Sequence, residues 1–552
     1  MPERAHLPIC CLLLLGLVCA IGAPGDAARA QSLPASSSAA DDDPYVAPKP
    51  QAITTAQLDD LLSAEAPEFS QAPQLSDEAF LRRTTFDLIG RQPTVAEQAD
   101  FAADPSPTKR TDLVDRLLAS EQFGRNWADY WSDVIAYRVP PPELTYLDYR
   151  PLKAWLAGGL NSGAGWDEMV TALVTAKGKI ADVPAATFVG YHQADATNLA
   201  AETSRIFLGQ QILCAQCHDH PFDHWQRTEF HALAAFFART KAKLPWNVGP
   251  DTVVSAVDKG EHVMPDMEDP AKPGSKMKPA FLLHDPADPR IGKDDAERRT
   301  RLAQWVTSPA NPWFAKAYVN RVWSRLAGRG FFEPVDDLGD SQVPMWPSVH
   351  EALSGHFTAT GYDIKDLFRL IMHSDAYARG LRMDTLEDET PAESPQPLRM
   401  RGDEIFAAWT VGIDLPNKRP PAVEPTNEIR FPPPPASTRD LVNTAFGTDP
   451  SLSTVDAPRT MAQALWMMNN EQLHAQIDAS PESDTMLARL LNEEQEDDAA
   501  CQKLYARVLA RKPTNAELRI AIEHVQELGD RRAAFEDVLW SLVNSAEFTT
   551  RQ

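Results

Sequence analysis

Apolar residues spaced three and four apart recur from Ile53 to the end of the chain, and no run alternates apolar and polar residues long enough to build a sheet. Leu58, Leu61 and Leu62 make one such face, and Leu113, Val114, Leu117 and Leu118 another. Leu302, Trp305, Val319, Val322 and Trp323 open a later block. The pattern predicts a mainly α fold, with many helices in two blocks joined by long Pro-rich loops. Short strands are expected only near Thr252–Val257 and Phe281–Leu283.

The 46 prolines gather in a few stretches, where the missing N–H ends helices. With 552 residues, the chain exceeds the roughly 250–300 at which single cores stop growing. Residues 1–30 read as a signal peptide and 31–55, rich in Ala, Ser, Asp and Pro, as a disordered tether. A first helical block spans 56–245, and a linker or long loop spans 246–296. A second helical block spans 297–552, with loops at 381–397 and 415–436. The two blocks are expected to form one helical assembly.

The signal-peptide reading rests on Arg4, the apolar run Leu7–Ala23 and the small-x-small site Ala28-Arg29-Ala30. The run is shorter than the roughly 20 residues a spanning helix needs. Cleavage near Ala30 and export to the periplasm or cell envelope are therefore expected, with no transmembrane helix in the mature chain. The net charge of -25 leaves no Lys/Arg excess for phosphates, so nucleic acid is excluded as a partner. It suits solubility, or the steering of a positively charged redox partner protein.

Cys10, Cys11 and Cys19 leave with the signal peptide, and Cys214, Cys217 and Cys501 remain. Three cysteines do not make a disulfide framework. Leu199, Thr203, Ile206, Phe207 and Leu213 lie at helical spacing ahead of Cys214-Ala215-Gln216-Cys217-His218. A helix continuing through His218 would put Cys214, Cys217 and His218 on one face. That suits covalent haem c: two thiols for the vinyl groups and an imidazole for the iron. Zinc or another transition metal competes, held by Cys214, Cys217, His218, His220 and His224 with Asp219 or Asp223. A redox dithiol and a structural disulfide are the remaining readings. His220 is read as a turn residue before Pro221. If haem binds, His218 is the proximal ligand, and the distal one is His224, Met264 or, less suited, Met267. His224 is preferred because it lies near in sequence.

Asp336 and Asp337 read as partners of Arg321 or Arg329 in an ion network rather than as a carboxylate pair for catalysis. No nucleophile elbow, phosphate loop or HExxH appears, so nothing specifies a reaction. One internal similarity stands out. Arg91-Gln92-Pro93-Thr94-Val95-Ala96-Glu97 is echoed by Arg511-Lys512-Pro513-Thr514-Asn515-Ala516-Glu517, and Ser120-Glu121-Gln122-Phe123 by Ser545-Ala546-Glu547-Phe548. This predicts a repeated helix pair opened by Pro-Thr and closed by an aromatic.

Several long motifs carry a family resemblance. Phe80-Leu81-Arg82-Arg83, Asp87-Leu88-Ile89-Gly90-Arg91-Gln92-Pro93-Thr94, Leu117-Leu118-Ala119-Ser120 and Cys214 through Phe222 resemble the DUF1549 family, a planctomycete cytochrome-like domain. Asn311-Pro312-Trp313-Phe314-Ala315, Val319-Asn320-Arg321-Val322-Trp323, Gly328 through Gly339 and Ala464-Leu465-Trp466-Met467-Met468-Asn469 resemble its usual companion, DUF1553. The resemblance implies secretion, a helical architecture and a c-type-cytochrome-like character, and no known reaction. A structural scaffold remains the third functional reading, beside a haem redox protein and a non-haem metalloprotein or hydrolase.

Overall fold

The computed structural model describes residues 50–67, 73–140, 146–245, 249–269, 271–272, 274–283, 292–379, 398–421, 434–452 and 460–551. The expected signal peptide, the tether up to residue 49 and the 381–397 loop lie outside them. Helix dominates. Side-chain caps open the helices by accepting first-turn N–H groups: Thr54 for Thr55–Glu65, Ser76 for Asp77–Ile89, Thr94 for Val95–Ala103 and Ser120 for Glu121–Ala136. Among the described residues no helix is long and apolar enough to cross a membrane.

One core gathers side chains from Leu58 through Tyr377. Trp131, on the Glu121–Ala136 helix, stacks on Tyr318 at 5.3 Å. Tyr318, on the helix Phe314–Ala327, stacks in turn on Phe357 at 4.7 Å. Trp131 and Tyr318 come from the two different sequence blocks, so the blocks share a core. Removing a side chain the size of Trp131 from such a site costs about 3–5 kcal/mol. A second core joins Phe86 to residues from Met400 to Phe548. The cores therefore divide after Tyr377, well past the 246–296 stretch.

That stretch, expected as a linker or long loop, carries paired strands among its described residues. Strands β1 (Gly178–Lys179), β2 (Thr240–Lys243) and β3 (Val253–Ala256) form an antiparallel sheet in the order β1-β3-β2. Strands β4 (His262–Met264) and β5 (Ser275–Met277) pair antiparallel, with His262 opposite Met277. Strands of three or four residues are too short to show alternation, which is why the sequence pattern hides them. The expected strand near 252–257 is β3, whereas Phe281–Leu283 forms a turn with Leu282 buried. Strand β6 (Leu398–Arg399) pairs with β7 (Thr550–Arg551) and ties the C-terminal end to the second core.

Candidate functional site: the Cys-His loop

The helix ahead of the cysteines does not run through to His218 as its spacing predicts. Asp195 caps Ala196–Thr203, which passes into one π turn, Ser204–Leu208, and stops at Gly209 with φ 64. A left-handed glycine is a helix terminator. Here it also admits Leu338, whose Cδ1 lies 2.6 Å from where a Cβ would stand. The wider π turn leaves Arg205 buried between Glu202 and Asp336, with Nη1 2.8 Å from Asp336 Oδ2.

The motif instead sits on one turn of 3₁₀ helix, Leu213–Gln216. Cys217 caps that turn, its N–H donating to the Cys214 carbonyl at 3.4 Å, and positions i and i+3 of a 3₁₀ turn eclipse. Both thiols are exposed and free, while Ala215 between them is fully buried. His218 follows the turn. Its Nδ1 lies 2.7 Å from the Asp219 carbonyl, which can only accept, so Nδ1 carries a proton and Nε2 is the nitrogen left to face a ligand.

The next residues fold into a tight loop. His220 N–H donates to Trp225 O at 2.8 Å, and the His220 ring accepts from Phe222 N–H at 3.4 Å, a turn role as expected. Trp225 is buried against Trp313, and Phe222 stands 82% exposed. Arg227 donates to Gln216 O at 3.4 Å and to Pro265 O, tying the motif to the Met264-Pro265 segment. His231 Nε2 lies 3.0 Å from Gln216 O, and its Nδ1 lies 2.8 Å from His262 Nε2. The carbonyl fixes His231 as the Nε2–H tautomer, so His262 donates to it. Burial lowers the pKa of both rings, that of His262 to about 4, and keeps the pair neutral. Sequence reasoning missed this pair, since His262 reaches His231 only through strand β4.

His224 is turned elsewhere. Its Nδ1 lies 2.9 Å from Asp223 Oδ1 and 2.8 Å from Asp340 Oδ2. Among the described residues, Asp223, His224 and Asp340 are the group of three Cys, His, Asp or Glu side chains with ligand atoms all within 4.8 Å of one another. Cys214, Cys217, His218 and His220 are not gathered in that way. Met264, half-buried, ends β4 beside the motif, and Met267 is exposed.

Behind the loop lies a buried ion network. Asp336 meets Arg205 at 2.8 Å and Arg321 at 3.5 Å, and accepts from Gln211 Nε2 at 2.9 Å. Burial works to raise its pKa, but Arg321 and Arg205 carry it down to about 2. The Arg321 pairing read from sequence holds for Asp336. Asp337 bonds Gln342 and the Gly339 N–H instead.

A cavity of about 430 Å³ lies apart from the motif, lined by Tyr130, Asp133, Tyr137, Arg325, Met400 and Arg401. A second, of about 350 Å³, shares Asp133, Ala136 and Asn443 with it. Asp133 opens onto both, yet the surrounding walls push its pKa up to about 6, against the pull of Lys153. The signal that would have found it is a carboxylate one turn after Asp129, within the aromatic run of the Glu121–Ala136 helix.

Two family models match the chain. Residues 58–242 match PSCyt2, described as a protein of unknown function (DUF1549). Residues 298–419 match PSD1, described as a protein of unknown function (DUF1553). No curated protein and no solved structure matches.

Proposed function

We propose that this chain, which belongs to the DUF1549 and DUF1553 families, is an exported c-type-cytochrome-like redox protein of the cell envelope. Cys214 and Cys217 are the thioether positions for one haem, and His218 is the proximal ligand. What supports the reading is that two free, exposed thiols stand within and at the end of one 3₁₀ turn, directly before an imidazole whose Nδ1 faces the Asp219 carbonyl. Bound haem would supply one-electron chemistry.

The chain's own residues then have separable tasks. Asp219 O fixes the His218 tautomer. Arg227 and His231 hold the Gln216 carbonyl and with it the pitch of the turn. Exposed Phe222 and Leu213 offer apolar surface for the ring or for a partner. His224 is turned toward Asp223 and Asp340, with Nδ1 facing both carboxylates. Met264 is the better candidate for the sixth ligand, since the Arg227–Pro265 contact favours it by position. A thioether there would raise the potential relative to two histidines.

The test is a pyridine haemochrome assay on protein made in a host competent for export and haem attachment. One covalent haem per chain is expected in the wild type and none in Cys217→Ala. Met264→Ala should change the low-spin spectrum and His224→Ala should not. Absence of covalent haem in the wild type, with about one zinc per chain lost in Cys217→Ala, would replace this reading with the metalloprotein one. N-terminal sequencing of exported protein tests cleavage near Ala30.

A further inference from the structure

We infer that Asp223, His224 and Asp340 bind a divalent first-row cation, manganese(II) or zinc(II), at the seam between the two sequence blocks. The site is independent of the cysteine motif and of any haem. Asp223 and His224 come from the Cys-His loop, and Asp340 from the segment after the Asp336-Asp337 pair.

The geometry is that of three ligand atoms facing one another, all within 4.8 Å. His224 Nδ1 faces Asp223 Oδ1 at 2.9 Å and Asp340 Oδ2 at 2.8 Å. One ring nitrogen carries at most one proton, so it cannot give each carboxylate a full hydrogen bond. A cation in place of that proton serves all three atoms. Metal–ligand bonds of about 2.1 Å at right angles set neighbouring ligand atoms about 3 Å apart, close to the spacing seen here.

The charge balance points the same way. The Asp223 side chain is only 7% exposed, and its hydrogen bonds use Oδ1 alone, from the backbone and ring of His224. Among the described residues no hydrogen bond reaches its Oδ2, which lies 2.5 Å from where a Cβ on Gly339 would stand. Asp337 Oδ1 lies 3.2 Å from that same point. Two carboxylates thus face one imidazole, and no lysine or arginine pairs with Asp223 or Asp340 among the described residues. Two carboxylate oxygens, one imidazole nitrogen and no thiolate select a hard-to-borderline divalent ion. Asp340 is 78% exposed, so the outer face remains open for water ligands.

The experiment is manganese(II) titration of the chelator-treated full chain, followed by electron paramagnetic resonance, with zinc(II) as competitor. The expected result is one saturable manganese site per chain. Asp340→Asn, an exposed change that leaves folding intact, should weaken it at least about tenfold. Asp223→Asn should do the same, and Cys214→Ala with Cys217→Ala should leave it unchanged. Loss in the cysteine variant but not in Asp340→Asn would assign the ion to the cysteine motif and overturn the inference. So would the lack of any saturable site for either ion. The haemochrome result decides the haem reading separately, so the two can fail independently.

Discussion

The helices Asp77–Ile89 and Asp497–Leu509 are both thirteen residues long, and each ends on a left-handed residue, Gly90 at φ 70 and Ala510 at φ 56. Each leads into the repeated Arg-x-Pro-Thr. Thr94 and Glu97 form a capping box, as do Thr514 and Glu517. Arg91 grips Glu97 at 2.8 and 2.9 Å, and Arg511 grips Glu517 at 2.9 and 2.7 Å. The following corner closes each cluster. Arg91 Nε meets Gln122, and Arg511 Nε meets Glu547. The local design is the same, but its setting is not. Phe80 through Ile89 are buried without a break, because that helix lies between the two cores. The Asp497–Leu509 helix buries one stripe: Ala500, Cys501, Leu504, Tyr505, Val508 and Leu509. Local sequence therefore sets the corner, and position in the fold decides which of its side chains the molecule depends on.

The largest expected contrast is at matched positions Asp87 and Arg507. Asp87 is buried, 2.7 Å from Arg551 Nη1 and 2.8 Å from the Tyr377 hydroxyl. Asp87→Ala strands Arg551 without its carboxylate and should cost about 3–5 kcal/mol. Arg507 pairs with Asp414 at 2.6 Å, both about a third exposed. Arg507→Ala should cost under about 1 kcal/mol. Urea unfolding measures both, and equal losses would break the comparison. Next comes Gly90→Ala. A Cβ there would stand 2.5 Å from Asn126 Oδ1 as well as at positive φ, for a cost of about 2 kcal/mol.

The capping carboxylates should behave alike in the two settings. Burial opposes ionisation of Glu97, but Arg91 and the Thr94 N–H bring its pKa down to about 2. The hydrogen bond from Arg511 does the same for Glu517, also to about 2. A depressed carboxylate contributes stability above its unfolded value, here 4.5, and loses it as pH falls through about 2. Glu97→Gln and Glu517→Gln should each cost about 1 kcal/mol at neutral pH, since both pairs are partly exposed. The cost should fade toward pH 2 in denaturation curves. A pH-independent cost in one of them would separate the copies.

What could be read in the sequence was local. The three-and-four spacing, the caps and the repeated Arg-x-Pro-Thr are helix chemistry written in adjacent residues, and they hold. The break at Gly209 was also local. The apolar spacing from Leu199 to Leu213 persists across it and concealed the glycine's message. Other features depend on contacts between distant segments. Trp131 meeting Tyr318, His231 meeting His262 across β4, and Asp340 meeting His224 have no periodic signature. Asp133 has a local hint, one turn after Asp129, but its raised pKa comes from the walls that other segments build around it. The cysteine motif stood out in sequence, but its 3₁₀ pitch follows from the stop at Gly209.

The smallest expected effect is a gain, from Ala510→Gly. Ala510 holds φ 56 and ψ 30 at the end of its helix, where the first copy has Gly90. A Cβ in the left-handed region costs roughly 1–2 kcal/mol. Glycine removes that strain, and its freer unfolded chain takes back about 0.4–1 kcal/mol. Ala510 is also buried, so its methyl makes contacts that glycine forfeits. The balance leaves a stabilisation of about 0.5 kcal/mol, opposite in sign to Gly90→Ala and a fraction of its size. Thermal and urea unfolding of the two variants side by side reads both signs. A loss on Ala510→Gly would mean that packing of the Ala510 methyl outweighs the backbone strain, and that the second corner depends on its core as the first does.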